Sequence, residues 1–308
     1  MILTLTLNPA IDVSLQTDRI IYDDRTYITA ETWQPGGKGI NAARTIHGYG
    51  ADVRSIATFG GEVGRRFEQL VAESEVPVQL ISVAGETRRN VAITDDEGLT
   101  IKLDQIGSAI GAEDLSKVDA SLLEQLPQAD WLMLNGSLPP GVPADYYARA
   151  IGAAQEHGVE TLLDTSGEAL ALGLAARPSI AKPNRPEAER LLNRTLFSEA
   201  HAVEAAEDVL KLGAQRTILS LGAQGAVAVS EEGRFRATPP GVQTGSPIGA
   251  GDVLAATCVW ALSEGRDFPE AFAWGVSAAT VAASRPGLGA GTLDDVRKMR
   301  ERIELKQL

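Results

Sequence analysis

The chain has 308 residues, 44% of them hydrophobic, and a formal net charge of −13, which is typical of a globular protein with one large core. The acidic excess argues against a broad surface for nucleic acid or for anionic membranes, and no apolar stretch is long enough to span a bilayer. The single cysteine, Cys258, excludes an internal disulfide and fits a cytoplasmic protein. Three scattered histidines argue against a histidine-based metal site or triad.

The N-terminal segment predicts a buried strand followed by a small exposed sheet. Residues 2–7 alternate aliphatic side chains with threonines, and Asn8-Pro9 ends the run. Asp12 follows just beyond the strand, where open α/β sheets bind ligands, although an Asp that caps a turn is the alternative. Residues 13–33 are too polar for central strands. We expect them to join the hairpin near 87–104 in a second, smaller sheet.

A glycine-rich segment at 35–44 imitates a dinucleotide-binding fingerprint through Gly37, Gly39 and Ala42. The context disagrees, because Pro35 stands where a buried strand should end and no acidic residue closes a second strand. A loop that cradles a polar ligand, before a helix over 40–49, fits better. A plain glycine-rich turn is the alternative.

Strands and helices alternate through most of the remaining chain, which predicts one core domain over residues 1–308 with a mostly parallel sheet and right-handed crossovers. The expected strands are 53–59, 78–83, 131–134, 160–164, a short one near 180, 217–220, and a hairpin at 227–229 and 234–236. The expected helices are 64–74, 113–125, 144–157, 167–175, 199–212, 268–284 and 293–304.

A second glycine-rich loop, at 245–251, leads into Asp252 and a long apolar run that favours a helix. The free N–H groups at a helix N-terminus attract anions, so Asp252 is either a helix cap or a base beside an anion site. For an isolated Gly-Asp pair, capping is the commoner role.

The polar segments share one position in the predicted fold, since each follows a strand. In a parallel sheet such segments meet at one edge. A basic, glycine-rich edge with isolated carboxylates suits phosphoryl transfer, which needs charge neutralisation and one base near the attacking hydroxyl. No Walker or protein-kinase motif is present, so a nucleotide must be held in another way. The segments are Asp12, 36–41, Ser137, Lys182 to Glu187, 220–225 and 249–252.

Three motifs, in this order, resemble the pfkB carbohydrate kinases: Pro35-Gly36-Gly37-Lys38-Gly39-x-Asn41, Lys182-Pro183-Asn184-x-x-Glu187 and Gly249-Ala250-Gly251-Asp252. Segments 4–12, 87–90 and 136–141 are similar to the phosphosugar branch, which includes 1-phosphofructokinase, tagatose-6-phosphate kinase and the minor 6-phosphofructokinase. The resemblance implies a ribokinase-like α/β fold, in which a three-layer αβα core with a mostly parallel sheet carries a small β-sheet lid. The lid is expected from segments of about 13–33 and 87–104.

The resemblance also implies a role for each matching residue. Asp252 would be the catalytic base, with the N–H groups of Gly249, Ala250 and Gly251 as an anion hole. Substrate binding would fall to Asp12, Arg25, Gly37, Lys38, Asn41, Arg88, Asn90 and Ser137, with Arg25 on the small sheet and Arg88 on the substrate's phosphate. ATP binding would fall to Lys182, Asn184, Ser220, Gly222 and Gly225. Glu187 would act on Mg²⁺ through water, and the backbone at Ser246 and Ile248 could hold K⁺.

The implied activity is ATP-dependent phosphorylation of a ketohexose phosphate to a bisphosphate, with fructose 1-phosphate as the leading substrate. Tagatose 6-phosphate and fructose 6-phosphate are the alternatives. An unphosphorylated sugar or nucleoside fits less well because Arg88 and Lys38 would face neutral hydroxyls, and intact Asp252 and Glu187 argue against a non-catalytic sensor. A homodimer through the lid is also implied. One departure is Pro247-Ile248 before the last motif, where relatives have Thr-Val or Thr-Ile, which leaves potassium dependence open.

Overall fold

The computed structural model describes residues 1–241, 249–285 and 290–308. Two sheets dominate it, one of ten strands and one of four. The strands are β1 Ile2–Thr6, β2 Ala10–Thr17, β3 Ile28–Gly36, β4 Val53–Phe59, β5 Val78–Ser82, β6 Arg88–Asp95, β7 Thr100–Asp104, β8 Trp131–Asn135, β9 Glu160–Asp164, β10 Ile180–Ala181, β11 Arg216–Ser220, β12 Ala226–Ser230, β13 Gly233–Thr238 and β14 Glu304–Gln307.

The large sheet has the order β14-β13-β12-β11-β10-β9-β8-β1-β4-β5. Its strands from β11 to β5 in that order pair in parallel, and β12 to β14 extend the sheet as antiparallel neighbours. The central strands are apolar and fully buried, as parallel strands covered on both faces must be. The carboxyl ends of the parallel strands therefore share one edge.

Helices cover both faces of this sheet and complete three layers. They are α1 Lys38–Gly48, α2 Gly61–Glu73, α3 Ala112–Gln125, α4 Tyr146–Glu156, α5 Gly167–Ala175, α6 Arg185–Leu192, α7 Glu199–Lys211, α8 Ala250–Ser263, α9 Phe268–Ala283 and α10 Leu293–Arg300. The first face packs against α1, α8, α9 and α10, and the second against α3 to α7. This arrangement confirms the expected ribokinase-like three-layer architecture.

Side chains on the central strands alternate between the two helical layers, as the period of a strand requires. Ile2, Met133 and Leu162 belong to the core cluster under α1 and α8, whereas Leu3 and Leu132 pack under α3 to α5. A residue's position in its strand therefore decides which helical layer it faces. The same alternation decides which layer the last residue of each strand faces.

The four-stranded sheet has the order β3-β2-β6-β7 and is built from the two segments named above. One of its faces packs Ile11 and Val13 against Phe67 of α2 and Ile40 of α1. The other face carries the polar side chains Asp12 and Asn90, whose strands are in register at this pair. We call this sheet the lid sheet.

The structure corrects four details of the sequence analysis. The last helix ends at Arg300, and the chain then forms the edge strand β14, so a helix over 293–304 is wrong. Pro35 does not break β3, where it pairs with Ile11. Arg25 lies in the exposed connection between β2 and β3 and not on a lid strand. Asp12 lies within β2 of the lid sheet and not after a core strand.

Helix α6 follows Lys182-Pro183-Asn184 and is not among the helices expected from the sequence. Asn184 caps it by accepting a hydrogen bond from the backbone N–H of Glu187, and the Glu187 carboxylate accepts one from the backbone N–H of Asn184. None of the helices in the described ranges is both long and apolar enough to cross a membrane.

Candidate active site

Helix α8 brings Asp252 to the centre of the site. The helix is apolar on all sides and lies between α1 and α9, so burial fixes its position. Its N-cap is Gly249, which adopts a left-handed conformation at φ 75°, and Asp252 is the third residue of the helix. Asp252 is therefore not the helix cap. Its Oδ2 instead accepts a hydrogen bond of 2.9 Å from Nδ2 of Asn41 on α1.

The environment of Asp252 raises the pKa of its carboxyl group towards neutral pH. Its side chain is buried, which disfavours the charged form, and the charge of Asp164 adds to this, so the pKa rises to about 7. Lys38, the Asn41 hydrogen bond and Lys182 oppose the rise. A carboxyl group with a pKa near the working pH is suited to general base catalysis.

Two lysines converge on a single buried carboxylate beneath α1. Lys38 Nζ lies 2.8 Å from Oδ1 of Asp164 and 3.4 Å from Oε1 of Glu187. Lys182 Nζ lies 3.0 Å from the other oxygen, Oδ2 of Asp164. Burial lowers the pKa of Lys38, but Asp164, Glu187 and Asp252 outweigh it and raise that pKa overall. Burial likewise raises the pKa of Asp164, but Lys182 and Lys38 outweigh it, so the pKa falls and the carboxylate stays ionised.

Asp12 on the lid sheet is held by a hydrogen bond to one carboxylate oxygen and by close packing against the other. Its Oδ1 accepts a hydrogen bond of 2.8 Å from Asn90 Nδ2, and burial raises its pKa. Gly36 packs so closely that a Cβ there would lie 2.0 Å from Oδ2 of Asp12. Gly37, at φ 115°, is the N-cap of α1 and turns the chain from the lid sheet into that helix.

Arg88 is fixed at the base of the lid sheet. Its Nε donates to the carbonyl of Asn8 at 3.2 Å, and its Nη1 donates to the carbonyl of Gln105 at 2.8 Å. Lys102 and Asp104, on the neighbouring strand β7, line the same cavity. Two cations and one carboxylate thus share this end of the site.

Two cavities of different character meet at the start of α8. The first, of about 340 Å³, lies under the lid sheet and carries charged side chains, with Asp12, Lys38, Arg88 and Asp252 on its walls. The second, of about 310 Å³, lies between the glycine-rich turn after β11 and helices α8 and α9. Its walls are mainly apolar: Pro239, Pro240, Leu254, Val276 and Ala279. Gly249 borders the first cavity, and Ala250 and Gly251 border the second.

The structure brings most of the expected nucleotide residues to the second cavity. Ser220, Gly222 and Gly225 line it, and Asn184 forms an isolated bridge with Ser220. Lys182 is adjacent, because a Cβ on Gly251 would lie 3.7 Å from its Nζ. The side chain of Asn184 caps α6, so Asn184 contributes to this cavity through the position of its backbone and not through its side chain.

Two expected residues, Ser137 and Arg25, stand apart from these cavities. Ser137 is exposed after β8, and its Oγ accepts a hydrogen bond of 3.0 Å from Asn8 Nδ2. Arg25 lies in its exposed loop and lines neither of these cavities. Ser246 and Ile248, the expected K⁺ positions, lie outside the described residues.

The site fits a divalent cation that arrives with phosphate groups. Within the described ranges, no group of three or more His, Cys, Asp or Glu side chains could hold a metal ion alone. Mg²⁺ at nucleotide sites keeps several waters and needs only one or two carboxylates besides the phosphates. Glu187 is buried beside Lys38, and a water-mediated contact from it suits that chemistry.

The sequence analysis missed Asp164 and Lys102. Asp164 ends an apolar strand at the carboxyl edge of the sheet, and that position was the available signal. Lys102 and Asp104 alternate with apolar residues on β7, which indicated only a polar hairpin.

Comparisons with known proteins show which family the chain resembles. The family model described as "pfkB family carbohydrate kinase" matches residues 5–295. The ATP-dependent 6-phosphofructokinase isozyme 2 of Escherichia coli is 33% identical over 301 residues, 97% of each chain. The 1-phosphofructokinase of Rhodobacter capsulatus is 36% identical over 271 residues, 87% of this chain and 86% of that one.

A solved structure extends the likeness to the fold. It is E. coli phosphofructokinase-2 in complex with potassium, which superposes with a TM-score of 0.90 at 32% identity, covering 97% of this chain and 98% of that one. This chain therefore belongs to the pfkB family of carbohydrate kinases, ATP-dependent enzymes that phosphorylate an alcohol group.

Proposed function

We propose that this chain transfers the γ-phosphoryl group of ATP to a hydroxyl of a ketohexose phosphate, with fructose 1-phosphate as the leading acceptor and a bisphosphate as the product. The observation that carries the proposal is the position of Asp252. It lies where a cavity that carries fixed cations meets an apolar cavity suited to a purine ring. Base, acceptor and donor are thereby adjacent, as phosphoryl transfer requires.

In this proposal, Asp252 takes the proton from the acceptor hydroxyl as that oxygen bonds to the γ-phosphorus. The bond to the bridging oxygen of ATP breaks and ADP leaves. The N-terminal N–H groups of α8, at Gly249, Ala250 and Gly251, stabilise negative charge on the transferred group. Lys182 approaches the same phosphates. Mg²⁺, near Glu187, would neutralise the negative charge of the nucleotide phosphates when bound.

The acceptor's own phosphate is assigned to Arg88 and Lys102. The carbonyls of Asn8 and Gln105 orient the Arg88 fork, whose geometry matches phosphate oxygens. Lys38 is a weaker candidate because Asp164 and Glu187 already balance its charge. Asp12, Asn41 and Asn90 are then left to bind sugar hydroxyls.

Fixed cations in the acceptor cavity favour a phosphorylated substrate over a free sugar or nucleoside. The 36% identity to a 1-phosphofructokinase supports fructose 1-phosphate. The longer match to a 6-phosphofructokinase keeps fructose 6-phosphate as an alternative, with tagatose 6-phosphate as the third. Intact Asp252 and Glu187 favour an enzyme over a sensor.

Two features of assembly and ion use are part of the proposal. Eight of the thirteen large hydrophobic side chains that are exposed in the described residues lie on the lid sheet or its loops, which supports a homodimer through that surface. Potassium activation is proposed from the loops near 246–248 and 282–289, which are largely outside the described residues. The potassium complex of the E. coli relative supports it.

The deciding experiment measures ADP release with the three ketohexose phosphates, free fructose and a nucleoside, in potassium and in tetramethylammonium buffers. We expect turnover with a phosphorylated acceptor and more of it in potassium. Arg88→Ala should raise KM for that acceptor about ten- to a hundredfold, the size expected for lost hydrogen bonds to a charged group. The matched control is Arg89→Ala, which removes an exposed arginine from the same strand. A preference for free fructose or a nucleoside, or an unchanged KM in Arg88→Ala, would contradict the proposal.

A further inference from the structure

A row of polar residues ends four neighbouring strands directly beneath the site. Thr6 ends β1, Asn135 ends β8, Asp164 ends β9 and Lys182 follows β10, and each is at most 2% exposed. Asn135 and Asp164 are in register across β8 and β9. By the alternation of their strands, all four face the layer of α1 and α8.

Hydrogen bonds within the described residues satisfy this polar row only in part. Within residues 1–241, 249–285 and 290–308, Thr6 Oγ1 and both amide atoms of Asn135 are buried without a hydrogen-bond partner. A buried polar atom left unpaired costs about 1–3 kcal/mol. An apolar row would pack this layer at lower cost, so the polar side chains are better explained by what lies above them.

What lies above is a pair of lysines, one that lines the first cavity and one that lies next to the second. Lys38 lines the first cavity, which is proposed for the acceptor and is called the acceptor cavity. Lys182 lies beside Gly251, which borders the second cavity, proposed for ATP and called the nucleotide cavity. Each ammonium group meets a different oxygen of the same carboxylate, at 2.8 Å and 3.0 Å. Asp164 and Lys182 are buried, so solvent does not compete for their contact, whereas the Lys38 side chain is 31% exposed.

We infer that Asp164 is a positioning residue that couples the two halves of the site by holding one lysine from the acceptor cavity and one from the nucleotide cavity. A single rigid carboxylate at the end of a central strand sets the separation of the two ammonium groups. This fixes how acceptor and donor approach each other, and an error of about 1 Å in such an approach can cost a hundredfold in rate. The inference rests on the proposed function.

The test compares Asp164→Asn with variants that remove one lysine at a time. Lys38→Met should raise mainly KM for the sugar phosphate, and Lys182→Met mainly KM for ATP. Asp164→Asn should raise both by at least fivefold and lower kcat by about a hundredfold. Asp130→Asn is the control, since that exposed carboxylate holds only the N-terminal ammonium group, outside the site.

A second variant guards against misfolding. Asp164→Asn leaves buried ammonium groups unbalanced, which is strongly destabilising. The double variant Asp164→Asn/Lys182→Met removes one of them and should recover thermal stability without recovering kcat. A purely structural role would lower kcat in proportion to the folded fraction and leave both KM values unchanged.

Binding measured by calorimetry separates this inference from the proposed function. A non-hydrolysable ATP analogue and the sugar phosphate are titrated separately into the wild type and into Asp164→Asn. Weaker binding of both ligands to the variant is expected. Failure of the wild type to turn over any ketohexose phosphate would overturn the proposed function. An active wild type whose Asp164→Asn variant loses affinity for one ligand only, or for neither, would overturn the coupling role.

Discussion

At the scale of single residues, burial determines the chemistry of Asp252. Asp252 lies in the first turn of a helix that is apolar on every side. Its carboxyl group is therefore buried, and water cannot stabilise its charge. Asp164 adds a like charge, whereas Lys38 and Lys182 limit the shift, and the pKa settles at about 7. A surface aspartate at the same helix position would be a weaker base, because its proton affinity would be too low.

Replacing Asp252 tests whether it is the base. Asp252→Ala should lower kcat by about 10²–10⁴, the usual contribution of a general base, while affinities for ATP and sugar phosphate stay within a few-fold of the wild type. Turnover is measured by ADP release and binding by calorimetry. Near-wild-type turnover in this variant would refute the assignment.

The proposed role of Asp252 as the base also predicts how catalysis depends on pH. The base acts only when deprotonated, so kcat/KM should fall about tenfold per pH unit below pH of about 7. Asn41 donates a hydrogen bond that stabilises the carboxylate, so Asn41→Ala should raise the pKa and move this acid limb to higher pH. An acid limb that stays in place in this variant would show that another group titrates.

At the scale of elements, close contacts between backbone and side chains bring the lid sheet to the core. β3 ends at Gly36, and α1 begins two residues later at Lys38, so one short turn links the lid sheet to the acceptor cavity. Gly36 has no side chain because the Asp12 carboxylate occupies the space beside it. The same turn therefore determines where Asp12 lies.

Gly36→Ala should disturb acceptor binding selectively. The new Cβ would lie 2.0 Å from Asp12 Oδ2, so the carboxylate must move away from its hydrogen bond with Asn90. KM for the sugar phosphate should rise at least tenfold while KM for ATP stays unchanged. Gly48→Ala at the end of α1 meets no atom within 4 Å and serves as the control. Equal changes in both KM values would point to general unfolding instead.

Elements with a clear hydrophobic period were predictable, and those set by tertiary contacts were not. β4, β9 and α5 were predicted residue for residue because their apolar patterns are strong. Helix α6 is short and begins with Arg185-Pro186, so its sequence does not indicate a helix. β14 forms by pairing with β13, and its own polar residues give no strand signal. Within the site, motifs located Asp252 and Lys182, but no local pattern identifies Asp164 as the partner of two distant lysines.

At the scale of the whole molecule, the distribution of exposed hydrophobic side chains is uneven. Most of those in the described ranges lie on the lid sheet and its loops: Ile21, Tyr22, Tyr27, Ile28, Trp33, Leu99, Leu103 and Ile106. The large sheet is covered on both faces, whereas the lid sheet is only partly covered. A second copy packed on this surface would remove apolar area from water, at about 25 cal/mol per Å².

Charge introduced on the lid sheet should therefore separate the proposed dimer. In the variant Tyr27→Asp/Ile28→Asp, carboxylates replace two side chains that are 72% and 56% exposed, so the fold of one chain should tolerate them. Sedimentation velocity should show a dimer for the wild type and a monomer for the variant at equal concentration. Phe197→Asp, at an 83% exposed position on the connection between α6 and α7, is the matched control and should leave the assembly unchanged. A wild type that sediments as a monomer, or an assembly that persists in the double variant, would show that the lid surface is not the interface. A change caused by Phe197→Asp alone would place the contact on the opposite side of the large sheet from α1 and α8.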